Sequence, residues 1–412
     1  MTSAKWDRRD FLKTTAAGAG FLLADFRLAG LGLDDRQAPS TPPAGNPNGP
    51  FVMDSKPGPE VVINGKTYLY FGGTGYYALH GHPEVIRAGV EAFERYGMQS
   101  GTSRSGFGNN PVLFEAERKI ADYFGTEDSV YFVSGYLDNL ILAQALAAAY
   151  DVIFIDELAH YSVRDGVATA HKPVFAFKHR DPADLAAQLK KTLKAGERPL
   201  VMTDGVFPTF GVIAPVPDYV KAVEPYDGII ALDDSHGVGV LGPNGRGTVD
   251  HFGLKSDRIF FAGTLSKAFG GHGGFIPATK KLITHIRQDV GVYSGASPTP
   301  TPAAAASAKG IDLVKAHPEW RDKLRRNTAQ AKEGIRKMGF EVNDSPMPLV
   351  TWTYKTGADM IRLQKALLDR GIALPYTKYV GAPAGGVLRA TIFSAHSEAQ
   401  IQRLLDEIKK LV

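Results

Sequence analysis

The 412-residue chain contains no cysteine. That excludes a disulfide scaffold and a thiolate metal centre, and it suits an oxidising compartment. Charge of either sign is in short supply as a net quantity. Lys and Arg number 47 against 43 Asp and Glu, leaving +4. No basic patch is interleaved with aromatics, which argues against a nucleic-acid partner. Internal repeats are missing, and no ligand spacing points to a metal. What remains is a composition 44% hydrophobic, ordinary for a globular core, over a length that allows one large domain and a smaller one.

The most informative stretch is Gly263-Thr264-Leu265-Ser266-Lys267-Ala268-Phe269-Gly270-Gly271. A lysine follows the apolar strand Ile259-Phe260-Phe261-Ala262, a hydroxyl lies three positions before it, and a glycine-rich run follows. This is the local chemistry of a lysine that holds pyridoxal 5'-phosphate (PLP) through an imine, with Thr264 in reach of a phosphate oxygen. The segment Asp233-Asp234-Ser235-His236-Gly237 ends another apolar strand. A buried carboxylate at Asp233 would keep the cofactor's ring nitrogen protonated, and His236 would reach its ring hydroxyl. Ser134-Gly135-Tyr136 joins a strand to an apolar helix, a ready phosphate site made of free N–H groups at the positive end of a helix dipole. After the strand Val152–Ile155, His160 is placed to stack on the cofactor ring.

These pieces resemble the α-oxoamine synthases among the fold-type I PLP-dependent enzymes, from about Phe51 to the C-terminus. The matching runs are Ser134-Gly135-Tyr136 with Asn139; Asp156 to His160 with Asp165-Gly166; Asp233 to Gly242; Gly245-Arg246-Gly247; Gly263 to Gly271; and Leu388-Arg389 with Ala395-His396. The resemblance implies Lys267 as the Schiff-base lysine, Asp233 at the pyridinium nitrogen, His236 at the ring oxygen and His160 on the ring. It implies Ser134, Gly135, Tyr136 and Thr264 at the phosphate, and Arg389 at the amino-acid carboxylate. Decarboxylative condensation of an amino acid with an acyl thioester is the activity it implies, in a homodimer with shared sites. The alternative is PLP chemistry without a thioester: an aminotransferase, racemase, aldolase or decarboxylase. Three positions depart from the family's pattern. Thr74 stands where an asparagine arranges the substrates, Pro208 replaces a serine for which Thr209 is the substitute at hand, and Leu113 replaces a histidine.

The expected fold is α/β, a large mostly parallel sheet with helices on both faces plus a smaller α+β domain. The expected division is residues 51–98 as a segment joining the small domain, 99–301 as the PLP-binding domain and 302–412 as the small domain. A long helical stretch is expected over Ala303 to Met338. Residues 1–33 resemble a twin-arginine export signal, with Arg8-Arg9 before an uncharged run too short to span as an ordinary helix, and 34–50 read as a Pro- and Gly-rich linker. Transfer by the twin-arginine export machinery to the periplasm is the expectation, with a cytoplasmic enzyme as the alternative.

Overall fold

The computed structural model describes residues 51–412. The expected export signal and linker lie outside the described residues.

Runs of four to six apolar residues build the central sheet. In Val152–Asp156 (β4) all five residues are buried, as a strand covered on both faces requires. The same holds for Pro199–Asp204 (β6) and Ile229–Asp233 (β7). With Asp128–Phe132 (β3), Val174–Phe177 (β5), Ile259–Thr264 (β8) and Gly274–Ala278 (β9) they form a seven-stranded sheet in the order β3-β9-β8-β7-β6-β4-β5. Only β9 runs against the rest. The sequence reading ends a glycine-rich run at Gly274, the first residue of β9, and assigns no strand to the residues after it. They pair instead with both β3 and β8, which fixes the loop that carries Lys267.

Strand β4 has β5 on one side and β6 on the other, so the chain reverses its winding direction there. The C-terminal ends of β4 and β6 therefore open a crevice at a topological switch point, where open α/β sheets bind ligands.

Two three-stranded sheets lie apart from the large one. Glu60–Ile63 (β1) and Lys66–Tyr70 (β2) form a hairpin, and β2 pairs in parallel with Ile372–Ala373 (β11). Leu349–Trp352 (β10) and Tyr376–Thr377 (β12) flank Val387–Thr391 (β13). The helices Gly357–Asp369 and Glu398–Lys409 pack on these strands through one apolar cluster that includes Leu69, Phe71, Trp352 and Leu388. The long helix expected over Ala303 to Met338 is two helices, Thr301–Ala316 and Glu319–Lys337. Pro318 separates them, because its ring removes an N–H and clashes with the preceding turn.

Candidate active site

Strand ends supply most of the site. Asp204 and Asp233 sit on adjacent strands in direct register, the last residues of β6 and β7. His160 follows β4 and caps the helix Tyr161–Ala168, and its backbone N–H donates to Asp204 Oδ2 at 2.8 Å. Thr264 ends β8, and Lys267 follows in the turn. Ser134 caps the short 3-10 turn Gly135–Leu137, which leads into the helix Asp138–Ala145. A cavity of about 150 Å³ is lined by Ser134, Gly135, Tyr136, His160, Ser162, Asp204, Asp233, Ser235, His236, Thr264, Ser266 and Lys267.

Its polar groups are held firmly. Asp233 Oδ2 accepts from Asn139 Nδ2 and from Ser162 Oγ, each at 3.0 Å, and Oδ1 accepts from the Ser235 N–H at 3.1 Å. Two helices deliver Asn139 and Ser162 to that one oxygen. They can approach because Gly166 has no side chain; a Cβ there would stand 2.8 Å from Asn139. Burial alone would raise the pKa of Asp233. The charge of Lys267, that of His160 whenever it is protonated, and hydrogen bonds from Ser235 and Asn139 outweigh burial and hold it below the usual carboxylate range.

The neighbouring acids behave oppositely. Burial, reinforced by the charge of Asp233, pushes Asp204 and Asp138 well above the usual range. Asp138 is fully buried beside the Ser134–Tyr136 turn, and neither of its carboxyl oxygens has a hydrogen-bond partner. Asp234 lies under the site, bound to the Thr248 N–H at 2.6 Å and Oγ1 at 2.7 Å, and burial brings it to about 7. Lys267 is lowered by burial against the pull of Asp233, Asp204 and Asp138. Its amine is therefore more available as a nucleophile than a solvated lysine.

His236 is 7% exposed, and burial drives it well below its ordinary value, so the ring is neutral. Its Nδ1 lies 2.8 Å from the Tyr76 hydroxyl, a partner the sequence reading did not identify. His160 is also lowered by burial. Its Nδ1 lies 2.7 Å from Ser162 Oγ, and its Nε2 lies 2.6 Å from the Tyr379 hydroxyl. Tyr136 reaches out of the cavity to hydrogen-bond Asp165.

Arg389 comes from β13, where it stands half-buried between Leu388 and Ala390. Its Nε donates to the Pro208 carbonyl at 3.1 Å. Proline at 208 thus brings no hydroxyl, but its carbonyl orients the guanidinium. Thr209 is not the substitute for the missing serine. It is 2% exposed and its hydroxyl is spent on the Val380 carbonyl at 2.5 Å. Leu113 is core, 1% exposed. The structure does not bring Thr74 into the Lys267 cavity. Thr74 lines a separate cavity of about 170 Å³ with Tyr70, His80 and Phe393.

Sequence reasoning missed Asp204 as a site residue, although it ends a buried strand as Asp233 does. It also missed Ser162, Tyr76 and Tyr379. The first two lie inside motifs that were read for other residues, and Tyr379 lies in a loop without a motif signal.

The donor set fits a phosphorylated pyridine. The cavity offers an ionised buried carboxylate, an amine with a lowered pKa and a hydroxyl-lined turn at a helix start. At Gly135 a Cβ would stand 2.8 Å from that of Thr264, so the turn can close on Thr264 only as glycine.

Comparison with known proteins agrees with this geometry. The family model for aminotransferase class I and II matches residues 73–408. An 8-amino-7-oxononanoate synthase 1 of Bacillus velezensis is 34% identical over 358 residues, 87% of this chain and 91% of that protein. The Sphingomonas wittichii serine palmitoyltransferase structure superposes with a TM-score of 0.83 at 26% identity, covering 98% of each chain. A serine palmitoyltransferase structure from S. paucimobilis with bound PLP and myriocin gives 0.83 at 28% identity, covering 88% of this chain and 92% of the other.

Proposed function

The chain belongs to the aminotransferase class I and II family, and from that premise we propose that it is a PLP-dependent acyltransferase of the α-oxoamine synthase kind. Its reaction transfers the acyl group of a thioester to the α-carbon of an amino acid, releasing the thiol and carbon dioxide. The observation that carries the reading is the single cavity in which Asp233, Lys267, His160, His236 and the Thr264–Gly135 cradle meet.

Bound there, PLP supplies an electron sink for the bonds of the substrate's α-carbon. The side chains have separable tasks. Lys267 would anchor the cofactor and, with its amine free, would take the α-proton. Asp233, held ionised, would keep a proton on the ring nitrogen. His236 engages Tyr76 through Nδ1, which leaves Nε2 for the ring oxygen. Ser134, Gly135, Tyr136 and Thr264 hold phosphate, aided by the helix start. Arg389 receives the carboxylate on its Nη edge, since Nε is engaged by Pro208. Thr74, in its own cavity, is left for the second substrate.

The test is product analysis of the purified, PLP-loaded protein given amino acids with and without acyl-CoA. A condensation product and carbon dioxide are expected only when both substrates are present. Undiminished amino-acid turnover without a donor, and no condensation product with one, would favour the thioester-free alternative.

A homodimer is part of the same proposal. Ile86, Val90 and Phe93 leave an exposed apolar stripe on the helix Pro83–Tyr96, with Met98 and Phe107 nearby in sequence and also exposed. In the segment Ser294 to Thr301, Thr299 and Thr301 are buried, Ser294 is half-buried and Ser297 is the most open, which makes Ser297 the first hydroxyl to test for a role at a partner's phosphate. Export is proposed on Arg8 and Arg9 alone. Cell fractionation of the Arg8→Lys/Arg9→Lys variant should find the protein retained inside, and wild type in the cytoplasm would remove that proposal.

A further inference from the structure

Tyr379 lies two residues past β12, in the loop that leads to β13 and Arg389. Its hydroxyl is 2.6 Å from His160 Nε2. Its ring meets Tyr161 edge-on, with centroids 5.6 Å apart at 86°. The loop is pinned where Tyr379 leaves it. The Ala382 N–H closes a turn on the Tyr379 carbonyl at 2.8 Å, and Val380 takes the Thr209 hydroxyl. The phenol is therefore aimed by its backbone and was not swept onto His160 by a free loop. This contact joins the segment that carries Arg389 to the crevice of the large sheet.

The hydrogen-bond chain beyond His160 has a direction. Asp233 is a carboxylate and only accepts, so the Ser162 hydroxyl at 3.0 Å donates to it. Ser162 Oγ then accepts from His160 Nδ1 at 2.7 Å. The Ser162 backbone N–H donates toward that same nitrogen at 3.2 Å, a contact only a bare Nδ1 accepts; the two contacts compete, and the shorter one, to Oγ, favours the proton on Nδ1. With the ring proton on Nδ1, Nε2 is the acceptor, and Tyr379 is its donor. Burial, with Tyr161 and Asp204 facing it, pushes Tyr379 up to about 12, so it keeps its proton. Arg389 and Asp233 also face Tyr379, and Asp233, Lys267 and Asp165 face His160.

We propose that Tyr379 is a positioning residue: it donates to His160 Nε2, fixes the Nδ1–H tautomer, and holds the imidazole over the Lys267 cavity. This rests on the reading of His160 as the group that covers the cofactor. Tyr379 contributes no proton to the reaction itself. Its effect passes through the angle and tautomer of His160.

The test has an arm that needs neither cofactor nor turnover. In cofactor-free protein, ¹⁵N NMR of the labelled histidine rings, with His160 assigned by its own substitution, should show Nδ1 protonated and Nε2 bare. In Tyr379→Phe the Nε2–H tautomer should grow, and His160 should protonate at higher pH, because a donor favouring the neutral ring is gone. In the PLP-loaded variant kcat should fall about ten-fold, the scale of one hydrogen bond, and the cofactor's absorbance maximum should move. Wild-type His160 found as the Nε2–H tautomer overturns the proposal without any variant. So does a folded Tyr379→Phe protein whose tautomer and cofactor spectrum match wild type. If wild type binds no PLP, the proposed function fails, and the tautomer measurement still decides the role of Tyr379.

Discussion

The floor of the cleft and its rim are built in opposite ways. The floor is made of strand ends and the buried helix start at Asp138, and is acid-rich and sealed: Asp138, Asp204, Asp233 and Asp234 are each 5% exposed or less. The rim is made of loops and helix starts that present hydroxylated rings to water, with Tyr136, Tyr161 and Tyr379 each 39 to 46% exposed. Lys267 belongs to the floor, and Arg389, on β13, is tied to the rim through the loop that carries Tyr379. Rigid strands fix a group to sub-ångström tolerance but vary little, and loops do the reverse. On the proposed reading, the chemistry at the ring nitrogen and the imine belongs to the floor, while the rim meets the substrate and, through Tyr136, the phosphate.

That contrast can be broken at the floor first. Lys267→Ala should remove both anchor and base, lowering turnover by about 10⁴-fold, the upper range for a general base. Borohydride should no longer fix PLP to the polypeptide, as read by intact mass; a variant that still gains the mass would show another lysine in the role. Asp233→Asn comes next. An opposite charge at this range shifts a partner's pKa by about one to three units, so α-proton exchange should fall about 10- to 10³-fold. Phosphate affinity should change little, because different residues hold that end. Wild-type exchange in this variant would assign the ring proton to another acid.

The rim should respond more mildly. Arg389→Lys replaces a fork with a point charge and gives up the Pro208 contact, so kcat/KM for the amino acid should drop roughly 10- to 100-fold, mostly through KM. A loss as deep as that of Lys267→Ala would erase the distinction between floor and rim. The smallest effect sharpens the comparison through stability. Asp234 has a folded pKa of about 7 against an ordinary 3.8, so the folded state binds the extra proton. Its contribution is fully present below 3.8 and is lost as pH rises towards about 7. In Asp234→Asn an amide can keep both contacts to Thr248, since Oγ1 accepts as well as donates. The thermal midpoint of cofactor-free wild type should therefore fall over that window relative to the variant. Parallel curves would show that Asp234 is ionised throughout.

The floor was far more legible than the rim. Continuous apolar runs mark buried parallel strands, and a polar residue ending each run points to the switch-point crevice, which is how Asp233, Thr264 and Lys267 stand out. Asp204 obeys the same rule at the end of β6. At the rim, short strands such as Ile372–Ala373 and Tyr376–Thr377 carry too few residues for a period to register. Tyr379 acts through a contact 219 residues away in sequence, and no local pattern encodes it. Strand β9 was hidden because its first residue, Gly274, closes a glycine-rich run that reads as loop, although the missing side chain lets β9 lie against Phe132 and Gly135.

The pairing of Leu69 with Ile372 sets an order of assembly. About 300 residues separate the partners, so the sheet they share cannot close until nearly the whole chain has left the ribosome. At roughly 5–20 residues per second that is a wait of about 15–60 s. The large sheet needs nothing beyond β9 and can form within it. Cofactor capture can thus precede the arrival of the substrate arginine, and the sheet that joins β2 to β11 carries the high contact order that slows folding. A ribosome stalled near residue 340 should display a nascent chain that already retains PLP but has no grip on an amino-acid carboxylate.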